Sequence, residues 1–78
     1  MGATASLHEP LADHGSTITC ESVEVRGNVA WLRPKTDDER LVVPLENLAG
    51  VAGDTVDQSV EQTPTHGGQY TEVVTRLE

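Results

Sequence analysis

Phenylalanine is missing from this 78-residue chain, and every other large apolar side chain apart from leucine is scarce. There is one Trp, one Tyr, one Ile and one Met, so Val, Ala and Leu must supply nearly all of the apolar contact. A domain this short buries only about 60% of its extended surface, and a core built without aromatics is thin. Two conditions make such a core sufficient. A second copy can add buried surface, or the solvent can strengthen burial. Cysteine is nearly absent too. Cys20 stands alone, which excludes an intramolecular disulfide and the disulfide-stapled secreted class. No apolar run approaches the roughly 20 residues of a membrane-spanning helix. The opening stretch MGATASLHEPLADHG has neither the basic start nor the apolar segment of a secretory signal. These absences predict a soluble, cytoplasmic protein without membrane contact.

Positive charge is the next shortage. Thirteen acids oppose five bases, for a net charge of −8, and Lys35 is the single lysine. Without a basic stripe there are few counterions to release from a nucleic acid, which disfavours that partner in dilute salt. At about 1 M salt the screening length is only about 3 Å, so a carpet of carboxylates hardly repels itself. An excess of charge is a lever of halophilic proteins. The composition, rich in Asp, Glu, Thr and Val, resembles that of small acidic proteins of salt-accumulating archaea without assigned activity.

Chemical motifs are sparse as well. There is no nucleophile elbow, no Gly-rich phosphate loop and no spacing that joins a nucleophile to a base, so no enzyme is expected. His8, His14, Cys20 and His66 are the ligand types that suit zinc, and four of them would complete a tetrahedron. Their spacing matches no standard knuckle. Asp37, Asp38 and Glu39 are consecutive and lack the D-x-D-x-D-G pattern of a calcium loop, so they read as a solvated loop tip.

What is present is β patterning. Residues 1–15 have no period and read as a flexible N-terminal arm. Residues 16–78 read as a single β-rich domain. STITCESVEVR is rich in β-branched residues, VAWLR and RLVV are further strands, and DTVDQSVEQT and QYTEVVTRLE alternate. PLENLAG leaves room for one short helical turn near 44–50. The expected fold is mostly β: a small antiparallel meander or barrel-like sheet of about five strands. LVVPLENLAGVAGDTVDQ, residues 41–58, resembles a local pattern of PRC-barrel domains, in which a strand ends in a Val-Pro-Leu turn followed by a Gly-Asp turn and another strand. The resemblance implies a small β-barrel and no particular activity.

The most informative stretch is VEVRGNVAWLRP. Gly27-Asn28 suits a two-residue type II′ turn. With Arg26 and Val29 flanking it, Val25 faces Ala30, Glu24 faces Trp31, Val23 faces Leu32 and Ser22 faces Arg33. Opposed residues share a side of the sheet. Val23, Val25, Ala30 and Leu32 therefore form an apolar face, and Trp31 lies on the other with Glu24, Arg26, Val29 and Arg33. Trp and Arg dominate the energetic centres of interfaces. This face is expected to meet a protein partner or a second copy in a homodimer, unless a loop or a closing barrel covers it. The alternative partner is a nucleic acid, with bases stacked on Trp31 and Tyr70 and phosphates held by Arg26, Arg33 and Arg76. One continuous basic patch would favour the nucleic acid, and scattered bases the protein.

Overall fold

The computed structural model describes residues 2–36 and 38–78; of the acidic loop, Asp37 lies outside the described residues. Seven strands follow in order: β1 (Ala3–Leu11), β2 (Gly15–Arg26), β3 (Val29–Pro34), β4 (Leu41–Pro44), β5 (Leu48–Gly53), β6 (Val56–Thr65) and β7 (Gly68–Leu77). A single 3-10 turn, Leu45–Asn47, joins β4 to β5, within the span expected for it. Among the described residues no helix is long and apolar enough to cross a membrane.

Every pairing is antiparallel. The main order is β4-β3-β2-β1-β5, while β7 pairs with β2 and carries β6 on its other side. The mostly-β antiparallel reading therefore holds. The sheet does not close into a barrel: β4 and β5 are consecutive in the chain, yet they stand at opposite ends of the hydrogen-bonded order. The described residues form seven strands where about five were expected.

The largest difference lies at the N-terminus. Residues 3–11 are not a flexible arm but a central strand, paired with β2 on one edge and β5 on the other. Ala3, Ala5 and Leu7 are buried. The alternation is there, but it is written in alanine, which has low strand propensity. Asn47 in the 3-10 turn replaces a strand partner further along β1. Its Oδ1 accepts from the Glu9 N–H at 2.8 Å and its Nδ2 donates to the Glu9 carbonyl at 3.2 Å.

β2 organises the sheet. Its first half pairs with β1 and its last four residues with β7 along the same edge, while β3 occupies the other edge. Ile18 and Cys20 face the core, and then Val23 does, so the inward phase changes from even to odd. The cause is an irregularity in the β2–β3 ladder: Cys20 pairs with Pro34 but Ser22 pairs with Arg33, leaving Glu21 as an extra residue. A bulge of this kind swaps the faces beyond it. It lets one strand serve two neighbours on one edge while both halves bury their apolar residues.

The core consists of Ala3, Ala5, Leu7, Ile18, Cys20, Val23, Ala30, Leu32, Val43 and Leu77, with Leu11, Val25, Leu41, Leu48 and Val51 against it. It contains no aromatic ring. Cys20 is fully buried, and burial pushes its thiol pKa up against the lowering effect of a backbone hydrogen bond from Arg33.

Candidate functional site

The β2–β3 hairpin has the expected register pair for pair: Arg26 with Val29, Val25 with Ala30, Glu24 with Trp31, Val23 with Leu32 and Ser22 with Arg33. Gly27 adopts φ +61°, while Asn28 keeps a negative φ, as a type II′ turn requires. Ala30 and Leu32 are buried and Trp31 between them is 45% exposed. The tryptophan therefore lies on the outer face. Among the described residues no loop covers it and no barrel closes around it.

Cross-strand rows define that face. Trp31 pairs with Val42 of β4 on one side and Glu24 of β2 on the other, and Glu24 in turn pairs with Arg76 of β7. Val42 is 48% exposed, so Trp31 and Val42 form an apolar step near the sheet edge. A shallow groove beside them is lined by Glu24, Trp31, Arg33, Arg40, Arg76 and Glu78. Val42, Arg40 and Glu78 were not singled out in the sequence. Val42 had a signal, since in RLVV it alternates with the inward Val43; Arg40 and Glu78 reach the groove only through the fold.

Arg26 does not ring the tryptophan. It sits one row away in an ion network, with Glu24 at 2.7 Å, Glu61 at 2.9 Å and Glu72 at 3.2 Å. To reach Glu61 on β6 from β2, its side chain must cross β7. It passes over Val74, which shares its row and is almost fully buried although it faces outward. Arg76 approaches Glu24 at 3.5 Å. The hydrogen bond from Arg26 is the main cause holding the Glu24 carboxyl below the usual carboxylate range, and the charges of Arg26 and Arg76 add to it against desolvation. Arg33 pairs with Glu21 at 3.4 Å. Arg40 donates to the carbonyls of Asp38 and Glu39 at 3.2 and 3.5 Å.

The network ties the β6–β7 hairpin to the body, which yields a prediction with a pH sign. Glu24 has a lowered folded pKa, so its contribution is present above its unfolded pKa and is lost as pH falls through the folded value. Arg26→Met removes the partner that lowers it and leaves Glu61 directly opposite Glu72, a destabilising like-charge pair. We expect Arg26→Met to lower the urea midpoint near pH 7, less so in molar salt. The gap between variant and parent should close on acidification as the carboxylates protonate. A gap that is unchanged from pH 7 to pH 3 would show that the network does not hold the hairpin.

The remaining sequence candidates do not come together. His8 lies on β1, Cys20 points into the core, His66 is in the β6–β7 turn, and His14 contacts Glu39 at 3.3 Å. Among the described residues no group of three His, Cys, Asp or Glu is placed to hold a metal ion. Tyr70 shares the outer face with Trp31 but lies three two-residue steps further along β7, about 20 Å away at strand rise, beyond Glu72 and Glu61.

Comparison with protein-family models, with curated proteins and with solved structures finds no match in any of the three. The fold defines the class: a small, open, antiparallel β-sheet protein whose one tryptophan is presented on its outer face.

Proposed function

We propose that this chain is a non-catalytic interaction or regulatory module that binds another protein through the outer face of β2, β3 and β4, centred on Trp31. The observation that carries the reading is the exposure of Trp31 beside Val42, on a sheet that buries its other large apolar residues from the same hairpin. A half-exposed Trp ringed by charged groups is the arrangement of an interface centre. Arg33 and Arg76 approach it already oriented by Glu21 and Glu24, which lowers the ordering cost of using them in binding. The acidic composition fits work in a salt-rich cytoplasm, as in a halophile.

A specific observation favours a nucleic acid as the second reading. Arg33, Arg40 and Arg76 converge on one groove with Trp31, and Arg33 and Arg40 line a neighbouring groove with Lys35. Four of the five bases are thus clustered, and Arg26 stands apart among its carboxylates. Carboxylates are interleaved with them, however: Glu21, Glu24, Asp38 and Glu78 line the same grooves. The cluster is close to neutral, which supports a protein surface of mixed charge above a phosphate backbone.

The test is a pull-down in molar KCl from the source cytoplasm, with Trp31→Ala as the control bait. Truncating an interface Trp costs at least about tenfold in affinity, so the captured protein should be lost with Trp31→Ala and kept with Val73→Ala, which is exposed on the opposite face of the sheet. Equal capture by parent and Trp31→Ala overturns the reading. Salt-dependent binding of an oligonucleotide that Trp31→Ala removes would move the assignment to the second one.

A further inference from the structure

The β6–β7 hairpin is not explained by the Trp31 face. Its ten pairs run from Val56–Leu77 to Thr65–Gly68, yet β7 is held by β2 only over Val74–Leu77. Beyond Val74 the two strands have no third strand beside them and are tied to the body through Arg26, and among the described residues nothing pairs with the outer edge of β6. An isolated ribbon of two strands is marginal in water, whereas three or more strands with an apolar face are stable.

The ribbon's two faces differ in charge. The outer face holds Asp57, Glu61, Glu72 and Arg76. The opposite face, continuous with the core face of the body, holds Val56, Gln58, Val60, Gln62 and Pro64 from β6, and Leu77, Thr75, Val73, Thr71 and Gln69 from β7. That face has no charged residue, in a chain of net charge −8. Val60 and Val73 are directly paired on it, and they are 65% and 54% exposed.

The free edge has the same phase. Thr55 and Glu78 exchange backbone bonds at 2.8 and 3.1 Å, so in the alternating ladder the odd-numbered residues of β6 bond to β7. The N–H and C=O groups of Val56, Gln58, Val60 and Gln62 therefore point outward. Pro64, without an N–H, falls on the outward phase and ends the usable edge near the tip.

We propose that two copies of this chain pair β6 against β6 antiparallel about a two-fold axis through Val60, making one continuous sheet. Charge selects this register. It sets Glu61 against Ser59 and Asp57 against Thr63 of the second copy. A shift of two residues either way sets Glu61 against Asp57 or against its own equivalent, and opposed like charges are destabilising. The same register lines up Val73, Val60, and Val60 and Val73 of the second copy in one row, which turns each two-stranded ribbon into half of a four-stranded one. Glu61 is compensated from its own copy by Arg26 at 2.9 Å, and Asp57 stands opposite Arg76 in the ladder, so the edges of two acidic molecules can meet. The expected homodimer thus has its seam on β6, and Trp31 stays outside it.

Light scattering in molar KCl should give a dimer mass for the parent chain. Val60→Lys places two ammonium groups opposite each other on an exposed site and should weaken the dimer at least about tenfold, with an unchanged circular dichroism spectrum. Val60→Cys should join two copies under a mild oxidant, because a directly opposed pair has Cα atoms about 5.5 Å apart, within disulfide reach. Gln62→Cys puts the two thiol positions about 14 Å apart and should not. The parent, with only the buried Cys20, should not cross-link either. A parent that is monomeric at all concentrations overturns the proposal. So does a dimer that survives Val60→Lys and fails to cross-link through Val60→Cys. The Trp31 reading is tested separately, since Val60→Lys leaves that face intact.

Discussion

Removal of residues 1–11 is expected to abolish the cooperative unfolding transition of this protein. Three losses coincide. Ala3, Ala5 and Leu7 leave a core whose fully buried set is small. The Gly15–Cys20 half of β2 loses the partner on one edge. β5 loses its only pairing among the described residues, and its six uncharged residues are left with both edges bare. Unpaired strand edges invite association with other chains, so the truncated chain should also aggregate in low salt. Urea titration followed by circular dichroism reads the result directly. A truncated chain with a sharp transition and the parent midpoint would mean that β1 is dispensable and the N-terminal segment is an arm after all.

The second large effect separates two adjacent residues. Leu32 is the largest fully buried side chain, at 1% exposure. Leu32→Ala should cost about 2–5 kcal/mol, transfer and cavity terms together. A domain of this size has a total stability of about 4–12 kcal/mol at the usual 0.05–0.15 kcal/mol per residue. With a urea slope of about 1 kcal/mol/M, the midpoint should fall by about 2 M or more, and the variant should be partly unfolded under mild conditions. Trp31→Ala, one residue away on the outer face, should shift stability by less than about 1 kcal/mol while removing partner binding. Similar midpoint losses for both variants would mean that the tryptophan is a core residue.

The contrast shows which parts of the molecule could be read from the letters. Gly27-Asn28 sets the turn geometry, and a two-residue turn sets the register of its strands. Once the register is known, period-2 alternation assigns every side chain of residues 22–33 to a face. The outward position of Trp31 follows from local chemistry alone. Pro44 followed by LEN similarly marked the 3-10 turn, because proline ends the strand and pre-sets the backbone for a turn.

β1 was less legible for a physical reason. Ala3 and Ala5 are inward on a strand paired along both edges, and small residues give little strand signal. His8, Glu9 and Pro10 then break the alternation. The support for that part of the strand comes from Asn47, 38 residues away. The Glu21 bulge was hidden for a related reason: a change of phase inside one apolar run looks like imperfect alternation until the partners on both edges are known.

The candidate site divides along the same line. That Trp31, Glu24, Arg26, Val29 and Arg33 share a face was determined by the sequence itself, through turn type and strand period. That Arg26 is withdrawn into a carboxylate network was decided only by the tertiary structure, because Glu61 and Glu72 come from a hairpin that docks on β2 more than 30 residues later in the chain. The same docking brings Arg76 and Glu78 beside the tryptophan and leaves the β6 edge open. Local periodicity specifies which side of a strand a residue occupies. Only the pairing of distant strands, set by the burial of a shared core, specifies which charges meet across it and which edge is left without a neighbour.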